Sequence, residues 1–425
     1  MLIGRNLDPV FSRRSFLQGG LSTAMLMRCG VALAANSGGA PLTGTFPATV
    51  WYSRPPEDCP FAQSPTWRGI RFLGRYARYS HGDTWYPSWA MDGNLYSPWT
   101  DGSVNEVNSD SSGQGATTGQ ARIEGDNPLS LIISGARTYP GDPSPYGGRY
   151  PCGSLVHNGI WYYGTYCLDV SVPGLNWDVL GPFVGFRTSK DLGKTWIDTP
   201  HTPAAPIFGE NSKNGGSVRF GSPHFVDFGK NMEHSPDGKA YLVAHGSALP
   251  DPYPRQANAS WITGDQIYLA RVEPGIENIN DLAKFEFFAG RSDNGRPQWT
   301  RNFAEMRPLI DWNNHLGCVT ATYIPGRNKF VMCATDGQNT ISGYNTMILE
   351  SDLITGPWRL VTYLRDFGEQ AYFVNIPSKF VSEDGSRMWL CYAANFTNGS
   401  STHYQSDPPG SGYGMVLQEM ELFSS

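Results

Sequence analysis

The segment HGDTWYPSWAMDGNLYSPWTDG (81–102) sets Asp83, Asp92 and Asp101 among Trp85, Trp89, Trp99, Tyr86 and Tyr96, with no lysine or arginine. Two carboxylates brought close together titrate apart, so that one tends to keep its proton while the other stays ionised. That division of labour serves acetal cleavage: one acid protonates the leaving oxygen, and the other assists water or attacks the sugar carbon. Asp92 precedes Gly93 and reads as a turn residue, which leaves Asp83 and Asp101 as the chemical pair.

Whether they meet depends on strand register. Residues 84–90 and 94–100 alternate around Met91-Asp92-Gly93. A three-residue hairpin loop ending in a left-handed glycine pairs Ala90 with Asn94 and carries Asp83 opposite Asp101, on one face. A two-residue turn at Asp92-Gly93 sends the two acids to opposite faces. The bland alternative is that each aspartate caps a turn, as Asp-Gly pairs commonly do.

A second set of residues suits elimination next to a uronic acid. That chemistry needs a cation at the carboxylate, a base of near-neutral pKa and a proton donor. His81, Arg149-Tyr150, His157 with Trp161-Tyr162-Tyr163, Arg219, His224, His234 and His245 supply the types. His81 ranks first because it lies two positions from Asp83. A scattered histidine or tyrosine in a strand-rich chain is more often packing.

The positioning elements read as strands. Apolar runs such as 129–136, 159–170, 239–246, 265–272, 318–324, 329–335 and 386–394 each close on Gly, Asp, Asn or Pro, and convincing amphipathic helices are nearly absent. Such spacing points to an all-β sandwich, barrel or propeller. Ser189-Lys190-Asp191-Leu192-Gly193-Lys194-Thr195-Trp196 matches the S-x-D-x-G-x-T-W Asp-box turn of sialidase-like propellers. Looser relatives stand at 235–238, 292–295, 351–358 and 382–385. The expectation is one β-propeller over 35–425, five-bladed, with seven blades as the alternative. The run 102–125, rich in Gly, Ser, Thr, Asn and Gln, reads as a long blade connection.

Composition narrows the function classes. Of 425 residues only 16% are charged, and the formal net charge is −6. An acidic surface gives no support for nucleic acid or an anionic membrane as partner. Residues 1–34 read as a twin-arginine export signal: Ser12-Arg13-Arg14-Ser15-Phe16-Leu17, an apolar run from Leu21, and Ala32-Leu33-Ala34 as the cleavage site. The expected location is therefore periplasmic or extracellular, with no membrane anchor, as a monomer. Cys152/Cys167 and Cys318/Cys333 each bracket a hairpin and read either as disulfides or as buried thiols. No P-loop, dinucleotide fingerprint, HExxH or GxSxG is present, so no cofactor or metal is expected; a structural Ca²⁺ has no supporting spacing.

Asp83-Thr84-Trp85, Trp89-Ala90, Asp92-Gly93, Leu95-Tyr96 and Asp101-Gly102 together resemble the opening motif of the DUF4185-type propellers, a group that includes the endo-D-arabinanases of glycoside hydrolase family 183. The resemblance spans about twenty residues. It implies that Asp83 and Asp101 are the acid and base of an inverting hydrolysis, acting on a polysaccharide or oligosaccharide. His81, Tyr86-Pro87-Ser88 and Ser97-Pro98-Trp99 depart from the pattern and leave the sugar open. His81, Trp85, Arg149, His157 and His234 are the expected substrate-binding residues. Two rival readings remain: a polysaccharide lyase using His, Tyr and Arg, and a sugar-binding propeller without turnover.

Overall fold

The computed structural model describes residues 40–169, 178–213, 216–249, 260–337, 343–394 and 407–424. The export-signal reading of 1–34 lies outside them. The strands gather into five antiparallel sheets arranged as a five-bladed β-propeller. Blade I runs His81–Asp83, Leu95–Val104, Thr117–Glu124, Ile132–Pro140 from the axis outward. Blade II is Gly148–His157, Ile160–Asp169, Val179–Ser189. Blade III begins at His224–Phe225 and continues through Ala240–Gly246, Gln266–Val272, Glu286–Arg291 and Pro297–Thr300. Blade IV is Val319–Ile324, Lys329–Asp336, Asn345–Ser351, Arg359–Leu364.

Blade V closes the ring. Its Tyr372–Asn375, Arg387–Ala393 and Met415–Phe423 come from the C-terminal part of the chain, and Gly69–Tyr79 pairs antiparallel with Met415–Phe423, Phe423 opposite Gly69. The first and last strands of the described residues thus share one sheet. Because each sheet is flanked by two neighbours, strands bury both faces: Val179–Ser189 and Asn345–Ser351 are buried throughout. The outer Ile132–Pro140 is mostly exposed.

The Asp-box turn does structural work. Asp191 accepts from the Thr195 N–H at 2.8 Å and the Thr195 hydroxyl at 2.6 Å, and the Ser189 hydroxyl accepts from the Gly193 N–H at 2.8 Å. These bonds hold the Asp191 carboxyl down at about 2. Trp196 packs against Trp161, with centroids 5.3 Å apart. Ser382 and Asp384 repeat the device: the Ser382 hydroxyl donates to Asp384 at 2.7 Å. All six cysteines of the described residues are free thiols. Arg149 faces Cys167 and Thr320 faces Cys333, so neither bracketing pair is in register for a bridge.

The first strands of all five blades surround the axis and run the same way. Residues of these strands and their flanks, including Tyr86, Ser154, His224, Thr320 and Asn375, line an axial cavity of about 40 Å³. That is far below the ~300–1,000 Å³ of small-molecule sites and too small for a sugar ring at this trailing end. The opposite, leading end carries Asp83, Arg149 and Tyr372.

Near the axis His245 is buried, with Nε2 2.9 Å from the Ser260 carbonyl and Nδ1 without a partner. Burial pulls its pKa to about 4, and the Ser260 bond opposes this only in part. Its stabilising contribution is complete above the ordinary value of 6.5 and is lost as pH falls through the window down to about 4. The loss is about 3 kcal/mol by the usual conversion. His245→Gln should flatten this acid limb in urea titrations across pH; an unchanged slope would assign it to other groups.

Candidate active site

The hairpin of blade I forms as its turn residues dictate. Gly93 takes φ 86°, its N–H donates to the Ala90 carbonyl at 3.0 Å, and the Ala90 N–H donates to the Asn94 carbonyl at 3.0 Å. Ser88 faces Tyr96 and Trp89 faces Leu95, the register of the three-residue loop. Farther out the ladder slips. His81 faces Ser103, but Asp83 faces Thr100 rather than Asp101. Asp101 is therefore the extra residue of a bulge, in the left-handed region at φ 50°. The expected direct opposition of Asp83 and Asp101 is corrected on this point. Gly102 cannot carry a side chain, because a Cβ there would stand 1.9 Å from the His81 carbonyl oxygen.

The bulge re-aims Asp101. Its carboxylate accepts the Ser111 N–H at 2.7 Å and the Ser111 hydroxyl at 2.6 Å. The Ser111 carbonyl in turn accepts the Arg149 N–H at 2.9 Å. Asp101 thus ties the segment before Thr117 to the leading end of blade II; the expected long blade connection over 102–125 is corrected, because Val107–Ser109 and Thr117–Glu124 are strands of blade I.

Asp83 is buried and faces another blade. Its Oδ2 accepts from Tyr372 at 2.9 Å and lies 3.2 Å from the Tyr413 hydroxyl; its Oδ1 accepts from Thr84 at 2.7 Å. The Tyr413 hydroxyl also lies 2.6 Å from the Asp101 carbonyl oxygen. Both tyrosines belong to blade V and its connections, so ring closure brings them to blade I. Asn375 locks the same junction by donating to the Trp85 carbonyl at 2.9 Å. Around this carboxylate the packing is aromatic. Trp261 meets Tyr372 edge-on at 5.1 Å, and the His81 ring lies 5.0 Å from Tyr413. Packing pulls the His81 pKa down; its own backbone bond opposes this and the Arg78 charge reinforces it. Beneath lies Tyr86, its ring 3.8 Å from that of His224 and its hydroxyl buried without a partner.

The remaining expected residues divide by their place on the strands. Arg149 stands at the leading end, buried, its Nε donating to Thr165 at 3.1 Å. Trp85 is core: it stacks on Trp99 at 6.4 Å and donates to the Gly82 carbonyl at 2.9 Å. His157 ends its strand at the trailing end, with Nδ1 3.0 Å from the Asn231 carbonyl oxygen. His234 lies beyond the trailing end of blade III, beside Tyr323 at 5.7 Å. Asp83, Asp101, His81 and Arg149 therefore share one end; His157 and His234 do not.

Sequence reasoning did not single out Tyr372 or Tyr413, which carry no motif. It also passed over His315. This residue sits in the loop feeding blade IV, its Nδ1 2.8 Å from Asp336 Oδ2, which also accepts from Tyr363 at 2.7 Å. Burial lowers the His315 pKa, but the bond and charge of Asp336, with Asp58, outweigh it and raise the value. Among the described residues, no three His, Cys, Asp or Glu side chains gather as a metal site would need.

No family model matches the sequence, and no curated protein matches it. Several solved structures resemble it at low identity. The catalytic domain of the Coprinopsis cinerea GH62 alpha-L-arabinofuranosidase is 12% identical, over 81% of this chain and 92% of that one, with a TM-score of 0.42. The GH43_1 enzyme from Xanthomonas citri complexed with xylotriose is 13% identical, over 82% and 88%, with a TM-score of 0.43. An exo-1,5-alpha-L-arabinanase from a bovine ruminal metagenomic library is 15% identical, over 80% and 94%, with a TM-score of 0.39. No residue role is carried over from them.

The two aspartates should behave differently on substitution. Asp101→Ala strands the Ser111 donors and should cost about 1–3 kcal/mol, with faster amide exchange at Ser111 and Arg149. If exchange at those two amides stays slow, Asp101 does not hold the connection.

Proposed function

We propose that the protein cleaves glycosidic bonds of a polysaccharide at the leading end of the propeller axis, as a glycoside hydrolase, with Asp83 as the group that works on the bond. One observation carries this reading. A buried carboxylate stands on the innermost strand His81–Asp83, clamped at one oxygen by Tyr372 and approached by Tyr413, against aromatic side chains. A carboxylate so held is preorganised for proton transfer, since its position is fixed before substrate arrives. Aromatic faces suit the apolar faces of sugar rings. Asp101 acts in this reading through Ser111, as a positioning residue for the rim. Tyr413, between Asp83 and the Asp101 carbonyl, is the neighbouring hydroxyl through which a proton passes to or from Asp83.

The lyase reading keeps a specific observation in its favour. The same tyrosine hydroxyls, with the His81 ring 5.0 Å from Tyr413, form a base-and-acid set, and Arg149 is a buried cation at the same end. In elimination a base removes the proton beside the uronate carboxyl and the leaving oxygen is protonated, so no water is consumed.

Arabinans, arabinogalactans and rhamnose- or uronate-bearing gums are the substrates to assay. Hydrolysis yields new reducing ends alone; elimination yields an unsaturated product with ultraviolet absorbance. Asp83→Asn should lower kcat by about 10²–10⁴-fold while the protein stays folded, and Tyr372→Phe by about tenfold. Binding without either product would leave a sugar-binding propeller. Unfolding of Asp83→Asn, with Tyr372→Phe fully active, would make the clamp structural. The enzyme meets such polymers outside the cytoplasm if Arg13-Arg14 directs export; Arg13→Lys with Arg14→Lys should then retain a reporter fusion inside the cell.

A further inference from the structure

Residues 51–67, ahead of Gly69–Tyr79, run as a strap along the outer edge of blade IV. Trp51 packs edge-on against Phe72 and Phe367, with centroids 6.1 and 5.6 Å apart. Gln63 pairs in parallel with Leu360. The Ser64 N–H donates to the Leu360 carbonyl at 2.7 Å, and the Leu360 N–H donates to the Ala62 carbonyl at 2.9 Å. Between these two anchors the strap reaches the loop that feeds blade IV. There Trp312 Nε1 donates to Asp58 at 3.1 Å, and the Trp312 ring meets Phe61 edge-on at 5.9 Å. The loop itself is fixed on the blade III side: the Trp312 N–H donates to the Asp265 carbonyl and the Leu316 N–H to the Gly264 carbonyl, both at 2.9 Å.

In this loop His315 stands between two carboxylates. Its Nδ1 lies 2.8 Å from Asp336 Oδ2 and its Nε2 3.8 Å from Asp58 Oδ2. A neutral imidazole carries one N–H and donates from one nitrogen; only imidazolium donates from both. Asp336 is fully buried, its Oδ1 has no partner, and His315 is its one ion-pair partner among the described residues. A buried carboxylate is costly without a countercharge, so the pair retains its proton. The Trp312 indole, stacked on the imidazole with centroids 4.1 Å apart, also favours the charged ring. The other titratable neighbours stay neutral. Tyr363 donates to the same Asp336 oxygen at 2.7 Å, and burial, with the Asp336 charge, raises its pKa. Burial raises that of the Cys59 thiol too; its bond with the Phe61 backbone opposes this and the Asp58 charge reinforces it.

We infer that His315 is a proton-operated latch: its imidazolium bridges Asp336 of blade IV to Asp58 of the strap, and loss of the proton releases the strap between Ser53 and Ala62 from the loop. Burial lowers the His315 pKa, but the bond and charge of Asp336, and then the charge of Asp58, outweigh it and raise the value above the ordinary 6.5. The latch is therefore fully closed below 6.5 and opens as pH rises through the raised value. Its outer half is the weaker one, since the Asp58 side chain is 67% exposed. Opening thus frees the turn in which the Cys59 N–H donates to the Pro56 carbonyl at 3.1 Å, and leaves the anchors at Trp51 and Gln63 in place. The latch needs no substrate and is independent of the proposed activity.

Hydrogen exchange on the whole protein tests the latch, read at the Glu57, Asp58, Cys59 and Phe61 amides from about pH 5.5 to about 8.5 and corrected for the intrinsic rate at each pH. Protection should be constant at the acid end and fall about two- to fivefold as His315 loses its proton, the scale of a partly exposed ion pair. The proton is followed by the His315 imidazole NMR signal, assigned by its absence in His315→Gln. His315→Gln and Asp58→Asn should each show the lower protection at every pH. In Asp58→Asn the imidazole should still titrate above the ordinary value, because Asp336 remains; local unfolding of the loop would abolish that. Asp58→Asn should also melt with wild type at about pH 8.5, where the latch is open in both. Protection that stays constant in wild type while His315 titrates would overturn the latch, as would full acid-end protection in Asp58→Asn. An equal fall with rising pH in wild type and His315→Gln would overturn it too, by assigning the opening to another group.

Discussion

Closure of the ring is the constraint on which the site depends. Gly69–Tyr79 completes the sheet begun by Tyr372–Asn375, so the last blade stands beside the first. Only then do Tyr372 and Tyr413 reach Asp83, across 289 and 330 positions of chain. The strand pairing that secures the fold and the hydrogen bonds that orient the carboxylate are thus one cooperative event. Loss of the closing strand would release blade V and the clamp together.

The bulge in blade I shows how one residue redirects chemistry. A regular ladder would place two carboxylates side by side, which like charges on neighbouring strands resist. The extra residue at Asp101 relieves that opposition and hands its carboxylate to Ser111. One acid then organises the rim and the other remains within the axial aromatic wall. This separates two tasks that spacing alone would assign to a single pair.

Polar groups on the axis follow the same logic of partners drawn from distant segments. Asn375 bonds the Trp85 carbonyl, and the carboxylate of Asp227 accepts the Ser378 N–H at 2.8 Å, joining blade III to blade V. Burial raises the Asp227 pKa against these bonds. Such junctions hold the blades at a common angle, and through it hold the leading end in one shape.

Much of the architecture was legible in the chain itself. Turn chemistry specified the Asp-box at 189–196 and the hairpin at Gly93, because left-handed glycines and side-chain caps are local properties. Strand-rich patterning without helices left sandwich, barrel or propeller open, the Asp-box turn favoured the propeller, and buried thiols were one of two open readings for the cysteines. What lay beyond the sequence was everything set by contact between distant segments. The slip of register at Asp101 depends on the space Gly102 leaves beside His81. The placing of His157 depends on its position at the end of its strand, and that of His234 on the turn beyond His224–Phe225. The clamp on Asp83 comes from tyrosines that no motif marks. Local interactions choose the turns and strands; the closed ring chooses which side chains meet.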